Sequence, residues 1–233
     1  MENSNLKESS IIESEQKNQQ LFVSLEGKSK RYVFITRTMD IIFSFFGLII
    51  MLPLFSLISF CYLYGDSKGP VFFKQARVGK NKKIFYIYKF RSMIVNAEEK
   101  LRQDPRLYKK YLENNYKLEQ EEDPRITNLG RFLRSTSLDE IPQLINVLKG
   151  DMSLVGPRPI VEEELREYGF KSNDLVSVKP GITGYWAVSG RSNVDYPERA
   201  DLELHYVYNQ SIKLDIHILF KTVLAVIVRK GAY

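Results

Sequence analysis

Two adjacent carboxylates, Asp139 and Glu140, are the residues with the clearest potential for chemistry. They stand where a helix should begin, because Ser137 to Glu140 fits a Ser-x-x-Glu capping box and Pro142 favours a first helical turn. The two signals imply slightly different first residues for the helix. With either one, Asp139 lies at the positive end of the helix dipole, which favours an ionised carboxylate and also attracts phosphate. The sequence predicts that this helix runs over 141–148.

A glycine and an arginine-bearing turn follow this predicted helix. Gly150 should end it, and the stiff turn Gly156-Pro157-Arg158-Pro159 should present a guanidinium whose fork suits phosphate oxygens. Taken alone, these features also occur as an ordinary helix cap and a surface arginine, so the rest of the chain must decide between the two interpretations.

Composition narrows the class of partner. The chain has 233 residues, enough for one domain with appendages, and a formal net charge of +6, which indicates an anionic partner. Nucleic acid, an anionic membrane surface and a phosphorylated substrate all satisfy that charge. The single cysteine, Cys61, lies in an apolar run and excludes an intrachain disulfide. Residues 1–30 are polar and are predicted to form a disordered tail.

An uncharged apolar segment covers residues 41–63 and is long enough for a membrane helix, which needs about 20 residues. Pro53 lies at its middle, where it removes a helical hydrogen bond and disfavours helical geometry in the residue before it. Basic residues flank the segment on both sides, and such residues prefer the cytoplasmic face. The sequence therefore predicts, over 31–64, a hairpin that enters and leaves one leaflet and is bent at Pro53. A straight span remains the alternative.

The following region favours a β-hairpin over 69–93, with strands at 71–74 and 84–90 and a turn at 79–82. The second strand ends with Lys89 and Arg91 beside aromatic residues. Helical patterns follow at 97–103, 107–119 and 161–168, and another helix should run to residue 209 and carry Glu203. A second apolar block, 216–228, is too short to cross a bilayer core of about 30 Å and favours contact with the membrane surface.

Two polar loops complete the candidate site. Residues 179–184 form a glycine-containing turn of the kind that lets backbone N–H groups approach an anion. Residues 189–193 form a polar loop that bears Arg191.

The motifs, taken in order, resemble the bacterial sugar transferase family, the small monotopic phosphoglycosyl transferases. The resemblance runs from about residue 31 to 233 and is closer to galactose- or glucose-type members than to bacillosamine-type ones. The matching residues are Arg37-x-x-Asp40, Phe73-x-Gln75-x-Arg77-x-Gly79, Tyr88-Lys89-Phe90-Arg91-Ser92-Met93, Leu133-Arg134-x-x-Ser137-Leu138-Asp139-Glu140-x-Pro142-Gln143, the run from Leu148 to Pro159, Lys179-Pro-Gly-Ile-Thr-Gly184, Val188-Ser-Gly-Arg191 and the final Gly231-Ala-Tyr233.

The resemblance implies an α+β fold: a monotopic membrane enzyme with a re-entrant helix-break-helix, a small β-hairpin and surrounding amphipathic helices, its catalytic domain spanning 65–233. It implies transfer of a hexose-1-phosphate from a UDP-sugar to undecaprenyl phosphate with release of UMP, as the first step of exopolysaccharide, capsule or lipopolysaccharide assembly. Mg²⁺ is the implied cofactor, and the bacterial inner membrane, with catalysis on the cytoplasmic face, is the implied location. The resemblance allows a homodimer and leaves no role for nucleic acid.

Residue roles follow from the same resemblance. Asp139 is the expected nucleophile and a metal ligand, and Glu140 is expected to help hold the metal or to accept a proton from the lipid phosphate. The expected substrate-binding residues are Lys89, Arg91, Arg134, Arg158, Arg191 and Glu203. The chain departs from the family where Leu52 precedes Pro53, since relatives often have serine there, and at Ala187 and Glu203, where Gln and Asp are frequent.

Three other functions compete with this interpretation. A glycosyltransferase that moves sugar without phosphate would release UDP instead of UMP. An inactive scaffold would use only the basic surface and would not need intact Asp139, Glu140 and Arg158. A nucleic-acid-binding protein would leave the apolar segment 41–63 unexplained.

Overall fold

Helices dominate the fold, and the computed structural model describes residues 29–113, 118, 122–190 and 194–228, with side chains in the last range as far as 225. The predicted site residue Arg191, the matching terminal residues 231–233 and all but the last two residues of the predicted tail 1–30 lie outside these ranges.

One long helix, α1, spans Lys30–Cys61 and has 32 residues. At 1.5 Å per residue it is about 48 Å long. Pro53 lies inside it, and the helical conformation continues on both sides. The predicted helix-break-helix is therefore not confirmed, because a proline deletes one backbone hydrogen bond without ending the turns around it. The path through a single leaflet stays a prediction.

The face of α1 that is turned away from the rest of the protein is apolar and exposed. By length and composition, α1 is the one helix in the described part of the chain that could cross a membrane. The large exposed apolar side chains on it include Phe34, Ile41, Ile42, Phe43, Phe45, Phe46, Ile49, Ile50, Leu52, Leu57 and Phe60. A continuous surface of this kind is typical of a segment that contacts lipid.

Strands β1 (Phe72–Val78) and β2 (Ile84–Phe90) form the predicted antiparallel hairpin. Val78 directly opposes Ile84, and the connecting 3₁₀ turn Lys80–Lys82 places Asn81 at a φ of 56°. The first strand runs four residues further than predicted because its alternating residues find cross-strand partners up to the turn.

The remaining helices of the described ranges mostly agree with the predicted positions. They are α2 (Ala97–Gln103), α3 (Pro105–Glu113), α4 (Asn128–Ser135), α5 (Leu144–Lys149), α6 (Ser172–Leu175), α7 (Tyr185–Ser189), α8 (Glu198–Asn209) and α9 (Ile212–Val228), with 3₁₀ segments at Gly65–Ser67, Leu138–Gln143 and Glu162–Lys171. The acidic segment predicted at 161–168 is thus a 3₁₀ segment, not an α-helix.

A second small sheet pairs β3 (Ser153–Val155) with β4 (Gly181–Thr183) in parallel. Buried apolar side chains join it to the hairpin on one side and to α8 and α9 on the other. The first contact packs Phe85, Ile87, Val147 and Met152 together, and the second packs Val155, Tyr206 and Ile218. The hairpin, the 3₁₀ turn before α5 and this small sheet therefore meet around one region.

Candidate active site

The two candidate carboxylates lie in the 3₁₀ segment Leu138–Gln143, which runs directly into α5. The prediction of one α-helix over 141–148 was wrong at its start, because the chain enters from a left-handed Ser137 into 3₁₀ turns and the α-helix begins only at Leu144. Ser137 has a φ of 57° and its side chain makes no capping hydrogen bond, so the capping box is not formed. The predicted end is confirmed, since Gly150 caps α5 with a φ of 87°.

Asp139 is buried, with 8% of its surface exposed. Burial raises its pKa to about 6; Lys89 and Arg134 attract the charge and act in the opposite direction, while Glu140 repels it. Such a carboxylate is ionised at neutral pH but poorly solvated. These properties suit a nucleophile, since a strongly solvated or tightly ion-paired carboxylate would react less readily.

Glu140 and two cations surround this carboxylate. Lys89, on β2, contacts Glu140 with 2.7 Å between Nζ and Oε1. Arg134, in the last turn of α4, donates from Nε to Ser92 Oγ at 2.9 Å, and burial lowers its pKa. The structure thus brings four predicted residues, Asp139, Glu140, Lys89 and Arg134, into one electrostatic cluster.

Arg91 is placed differently from the expectation that it binds substrate. Its guanidinium is buried and donates to three backbone carbonyl oxygens, those of Ser67, Pro70 and Met93. These hydrogen bonds stabilise the chain on either side of the hairpin, and they use the donors of the guanidinium. Arg91 is therefore not part of the cluster around Asp139 in this structure.

A cavity of about 350 Å³ opens beside the carboxylate pair. Ser137 and Glu140 line it, whereas Asp139, which lies between them in the chain, is buried behind its wall and is not a lining residue. Predicted residues Lys89, Arg158 and Glu203 line it as well. The cavity therefore has an acidic side chain at Glu140 and basic side chains at Lys89 and Arg158, an arrangement that favours a ligand carrying phosphate.

The floor of the cavity is made by close contact between two backbone segments. A Cβ atom on Gly156 would lie 2.5 Å from the carbonyl oxygen of Lys179, and one on Gly181 would lie 2.1 Å from the nitrogen of Gly156. A side chain at either glycine would push the segments apart. The two glycine turns predicted from the sequence thus form one structure, which positions Arg158 at the cavity.

A group of arginines and an aromatic ring lies deeper in the same region. Arg199 lies over the ring of Trp186, with 4.6 Å between guanidinium carbon and ring centroid, and Arg158 approaches the same ring at 5.6 Å. Arg199 also donates from Nε to Oε1 of Glu203 at 3.1 Å, and Glu203 accepts from Tyr168 at 2.7 Å. Glu203, predicted to bind substrate, is thus held in a buried ion pair at the cavity wall.

Arg77 adds another cation to this group. Its pKa falls to about 10, because burial and the positive charges of Arg158 and Arg199 disfavour ionisation, while Glu164 partly compensates. Its Nε atom is buried and has no hydrogen-bond partner among the described residues. An anionic ligand would relieve the mutual repulsion of Arg77, Arg158 and Arg199.

Arg77, Arg199 and Trp186 were not among the predicted site residues. Arg77 could have been found from strand alternation, since it lies on β1 an even number of residues from Phe73, which directly opposes Lys89. Arg199 could have been found from its spacing of four residues to Glu203 on a helix. Trp186 gave no comparable signal in the sequence.

The carboxylates near the cavity are the candidate ligands for magnesium. Among the described residues no group of three or more His, Cys, Asp or Glu side chains could hold a metal ion. Mg²⁺ commonly uses only one or two carboxylates and takes its other ligands from water and substrate phosphates. The pair Asp139 and Glu140 fits that second kind of site.

Comparison with known proteins completes the description. A family model described as bacterial sugar transferase matches residues 31–229. The chain is 48% identical over 204 residues to undecaprenyl-phosphate galactose phosphotransferase of Salmonella typhimurium, which covers 86% of this chain and 42% of the relative. It is 43% identical over 204 residues to UDP-galactose-lipid carrier transferase of Erwinia amylovora, covering 86% and 42%. It is 39% identical over 201 residues to exopolysaccharide production protein ExoY of Rhizobium meliloti, covering 84% and 87%. The chain therefore spans less than half the length of the first two relatives and most of the third.

Proposed function

The chain belongs to the bacterial sugar transferase family, and we propose that it transfers a hexose-1-phosphate from a UDP-sugar to undecaprenyl phosphate and releases UMP. The observation that carries the proposal is the buried carboxylate Asp139, with its raised pKa, beside a cavity lined by Lys89 and Arg158. The names of the relatives supply the substrate class, since they include a galactose phosphotransferase acting with undecaprenyl phosphate and a UDP-galactose-lipid carrier transferase.

The first step is attack by Asp139 on the phosphorus that carries the sugar. A bond forms between a carboxylate oxygen and that phosphorus while the bond to the UMP oxygen breaks, and UMP leaves with the electron pair. Arg158 and Arg77 are placed to neutralise the phosphate oxygens as charge moves to the leaving group. Two-step transfer lets one cavity handle a polar donor and an apolar acceptor in turn.

The second step returns Asp139 to its free form. A phosphate oxygen of the lipid attacks the same phosphorus, and the bond to Asp139 breaks, giving the lipid diphosphosugar. Lys89 holds Glu140 beside the reacting group by the contact of 2.7 Å. This placement suits Glu140 to accept the proton of a monoprotonated lipid phosphate.

Asp139 and Glu140 are the residues that would hold Mg²⁺ together with the donor phosphates. When bound, the ion would neutralise diphosphate charge that otherwise repels the attacking carboxylate. The basic side chains that line the cavity would act on the same charge.

The membrane location is part of the same proposal. The apolar outer face of α1 and the exposed side chains Ile216, Phe220, Val223 and Leu224 of α9 enter the cytoplasmic leaflet of the inner membrane. The cavity then lies near the headgroups, where the phosphate of a polyprenyl lipid is found. A first step of exopolysaccharide, capsule or lipopolysaccharide assembly fits this acceptor, and ExoY is named for exopolysaccharide production.

The test uses purified protein in detergent with Mg²⁺, undecaprenyl phosphate and a panel of UDP-sugars, followed by UMP release and lipid analysis. We expect UMP and a lipid diphosphosugar in equal amounts with a UDP-hexose, and neither product with Asp139→Asn. Release of UDP would identify a simple glycosyltransferase and overturn the proposal. Absence of turnover with every donor would support the inactive scaffold.

A further inference from the structure

Two charged side chains of α1, Arg37 and Asp40, contact the rest of the protein, although the outer face of the helix is apolar. Arg37 donates from Nη1 to the carbonyl oxygen of Val147 at 2.6 Å and from Nη2 to that of Leu148 at 2.8 Å. Both carbonyls belong to the last turn of α5, where helical N–H partners run out, and that of Val147 also accepts from the capping nitrogen of Gly150 at 3.0 Å. A cation at this end of a helix is also favoured by the helix dipole.

Asp40 lies one turn further along the same face of α1 and is buried. Its Oδ1 atom accepts a hydrogen bond from Ser153 Oγ at 3.0 Å and another from the backbone nitrogen of Leu154 at 2.8 Å. Ser153 and Leu154 begin strand β3. A carboxylate that accepts these bonds while excluded from water fixes the start of the strand strongly.

These contacts hold the two chain segments that carry the site. The 3₁₀ segment with Asp139 and Glu140 runs directly into α5, whose far end Arg37 holds. Strand β3, whose start Asp40 holds, runs directly into the turn with Arg158. Gly150 makes the reversal between them. Arg37 and Asp40, one turn apart on α1, therefore contact the chain on both sides of that reversal.

A third contact ties α1 to the opposite wall of the cavity. Tyr32 donates its hydroxyl to Oδ2 of Asp215 at 2.8 Å, and Tyr206 donates to Oδ1 of the same carboxylate at 2.8 Å. Tyr206 lines the cavity, and Asp215 is in α9. The inner face of α1 thus reaches α5, β3 and α9 by polar side chains.

We infer that Arg37 and Asp40 are positioning residues: they use α1 to fix the Asp139–Glu140 segment relative to the Arg158 turn. The inference rests on the proposed function, because it assigns the membrane helix a part in the geometry of that reaction in addition to attachment. Displacement of reacting groups by about 1 Å costs on the order of 10²-fold in rate. Removing the hydrogen bonds of Arg37 or of Asp40 should therefore lower kcat.

The test combines kinetics with amide hydrogen exchange in detergent-solubilised full-length protein. The variants are Arg37→Ala, Arg37→Lys, Asp40→Ala and Asp40→Asn. The control is Thr38→Ala on the same helix, where an exposed hydroxyl bonds only within the helix, to the carbonyl of Phe34. Reading kcat and KM for the UDP-sugar separates positioning from binding, and bound detergent and melting temperature report the folded fraction.

For the alanine variants we expect kcat to fall by about 10²-fold with KM changed less than about threefold, since the binding groups stay while their alignment is lost. Asp40→Asn should recover part of the rate, because its side chain keeps an acceptor oxygen. Arg37→Lys should also recover part of the rate, because it keeps one charged donor. Exchange in Asp40→Ala should rise at Leu154 and also across 138–143 and 156–158.

Wild-type kcat in folded Arg37→Ala and Asp40→Ala would overturn the inference. It would also be overturned by a loss of activity that only follows the folded fraction, or by faster exchange confined to 153–155. Failure of the proposed function is distinguishable: the wild type would then release no UMP from any donor, while the exchange comparison would still show whether α1 holds both segments.

Discussion

At the scale of single residues, the central feature is the conflict between burial and charge at Asp139. Burial raises its pKa to about 6 even though Lys89 and Arg134 attract the carboxylate. Lys89 is paired with Glu140, and Arg134 bonds to Ser92, so neither cation neutralises Asp139 fully. The folded protein therefore holds Asp139 as a charged, weakly solvated carboxylate, which lowers the stability of the fold.

This conflict predicts that Asp139→Asn stabilises the protein in Mg²⁺-free buffer. The folded-state pKa is raised from 3.8 to about 6, so the folded protein binds the proton more tightly and wild-type stability falls as pH rises through that window. Each pKa unit corresponds to about 1.4 kcal/mol. We expect Asp139→Asn to melt several degrees higher near neutral pH, with the gain shrinking toward about pH 4. A gain independent of pH, or a less stable variant near neutral pH, would contradict the prediction.

Arg158 provides a second prediction at this scale. It is exposed and lines the cavity, so replacing it would remove the proposed phosphate-binding group with little effect on the core. Arg158→Met should lower kcat/KM for the UDP-sugar by about 10- to 100-fold, which corresponds to one charged hydrogen bond. Arg102→Met, which changes an exposed arginine on α2, is the matched control and should keep wild-type kinetics. Unchanged kinetics in both variants would remove Arg158 from the proposed site.

Several predicted site residues lie close together in the structure, and local motifs made these residue types visible in the sequence. Lys89, Glu140, Arg158 and Glu203 all line one cavity, as their assignment to a common site requires. Arg91 differs, since its three carbonyl contacts depend on how the ends of the hairpin pack. Strand alternation and helix spacing could have marked Arg77 and Arg199 singly, but their proximity to each other depends on long-range packing that no local pattern encodes.

At the scale of elements, the close approach of two backbones decides where Arg158 points. Gly156 and Gly181 allow the turn before Arg158 to rest on strand β4, and a Cβ on either would fall within 2.6 Å of backbone atoms. Backbone atoms cannot rotate aside as a side chain can, so the strain of a substitution would displace the elements themselves.

Gly156→Ala should therefore destabilise the protein by about 3 kcal/mol and reduce activity further by moving Arg158. Gly47→Ala is the matched control, because its Cβ would meet only the end of a leucine side chain, Leu144 Cδ1, at 3.2 Å. Melting temperature and UMP release for the two variants check the prediction. Equal melting temperatures would show that the β3–β4 contact can relax.

Elements defined by short-range patterns were predicted well. The hairpin follows from strand alternation and turn residues, and α2, α5 and α8 from helical periodicity with glycine or proline at their ends. The 3₁₀ segment Leu138–Gln143 was missed, because Ser137 takes a left-handed φ that a capping motif does not predict. Parallel pairing of β3 with β4 joins segments far apart in the chain, which periodicity cannot show.

At the scale of the whole molecule, α1 packs along the catalytic part of the chain over most of its length. Arg37 and Asp40 hold its first half, and Ile58 joins a buried cluster with Phe90 and Leu133 in its second half. A helix crossing a bilayer of about 30 Å could not keep both halves against one charged domain. This packing supports insertion from one side, while the path through the leaflet stays a prediction.

Single-cysteine labelling tests that prediction, since the chain has one cysteine, the exposed Cys61. In a Cys61→Ser background, Arg31→Cys and Lys68→Cys mark the two ends of the apolar segment, and Leu112→Cys on α3 marks the domain. An impermeant maleimide should label all three in inside-out vesicles and none in intact spheroplasts. Labelling of Arg31→Cys and Lys68→Cys from opposite sides would establish a span.

The covalent step is the central claim, and intact mass after a single turnover tests it most directly. Full-length protein in detergent is mixed with Mg²⁺ and the active UDP-sugar, without lipid acceptor, beside Asp139→Asn and Glu140→Gln. We expect UMP equal to the active protein, a phosphohexose adduct on the wild type that undecaprenyl phosphate removes, and no adduct on Asp139→Asn. An adduct on Asp139→Asn would place the nucleophile elsewhere. Turnover with lipid present but no adduct and no UMP without it would contradict the two-step account.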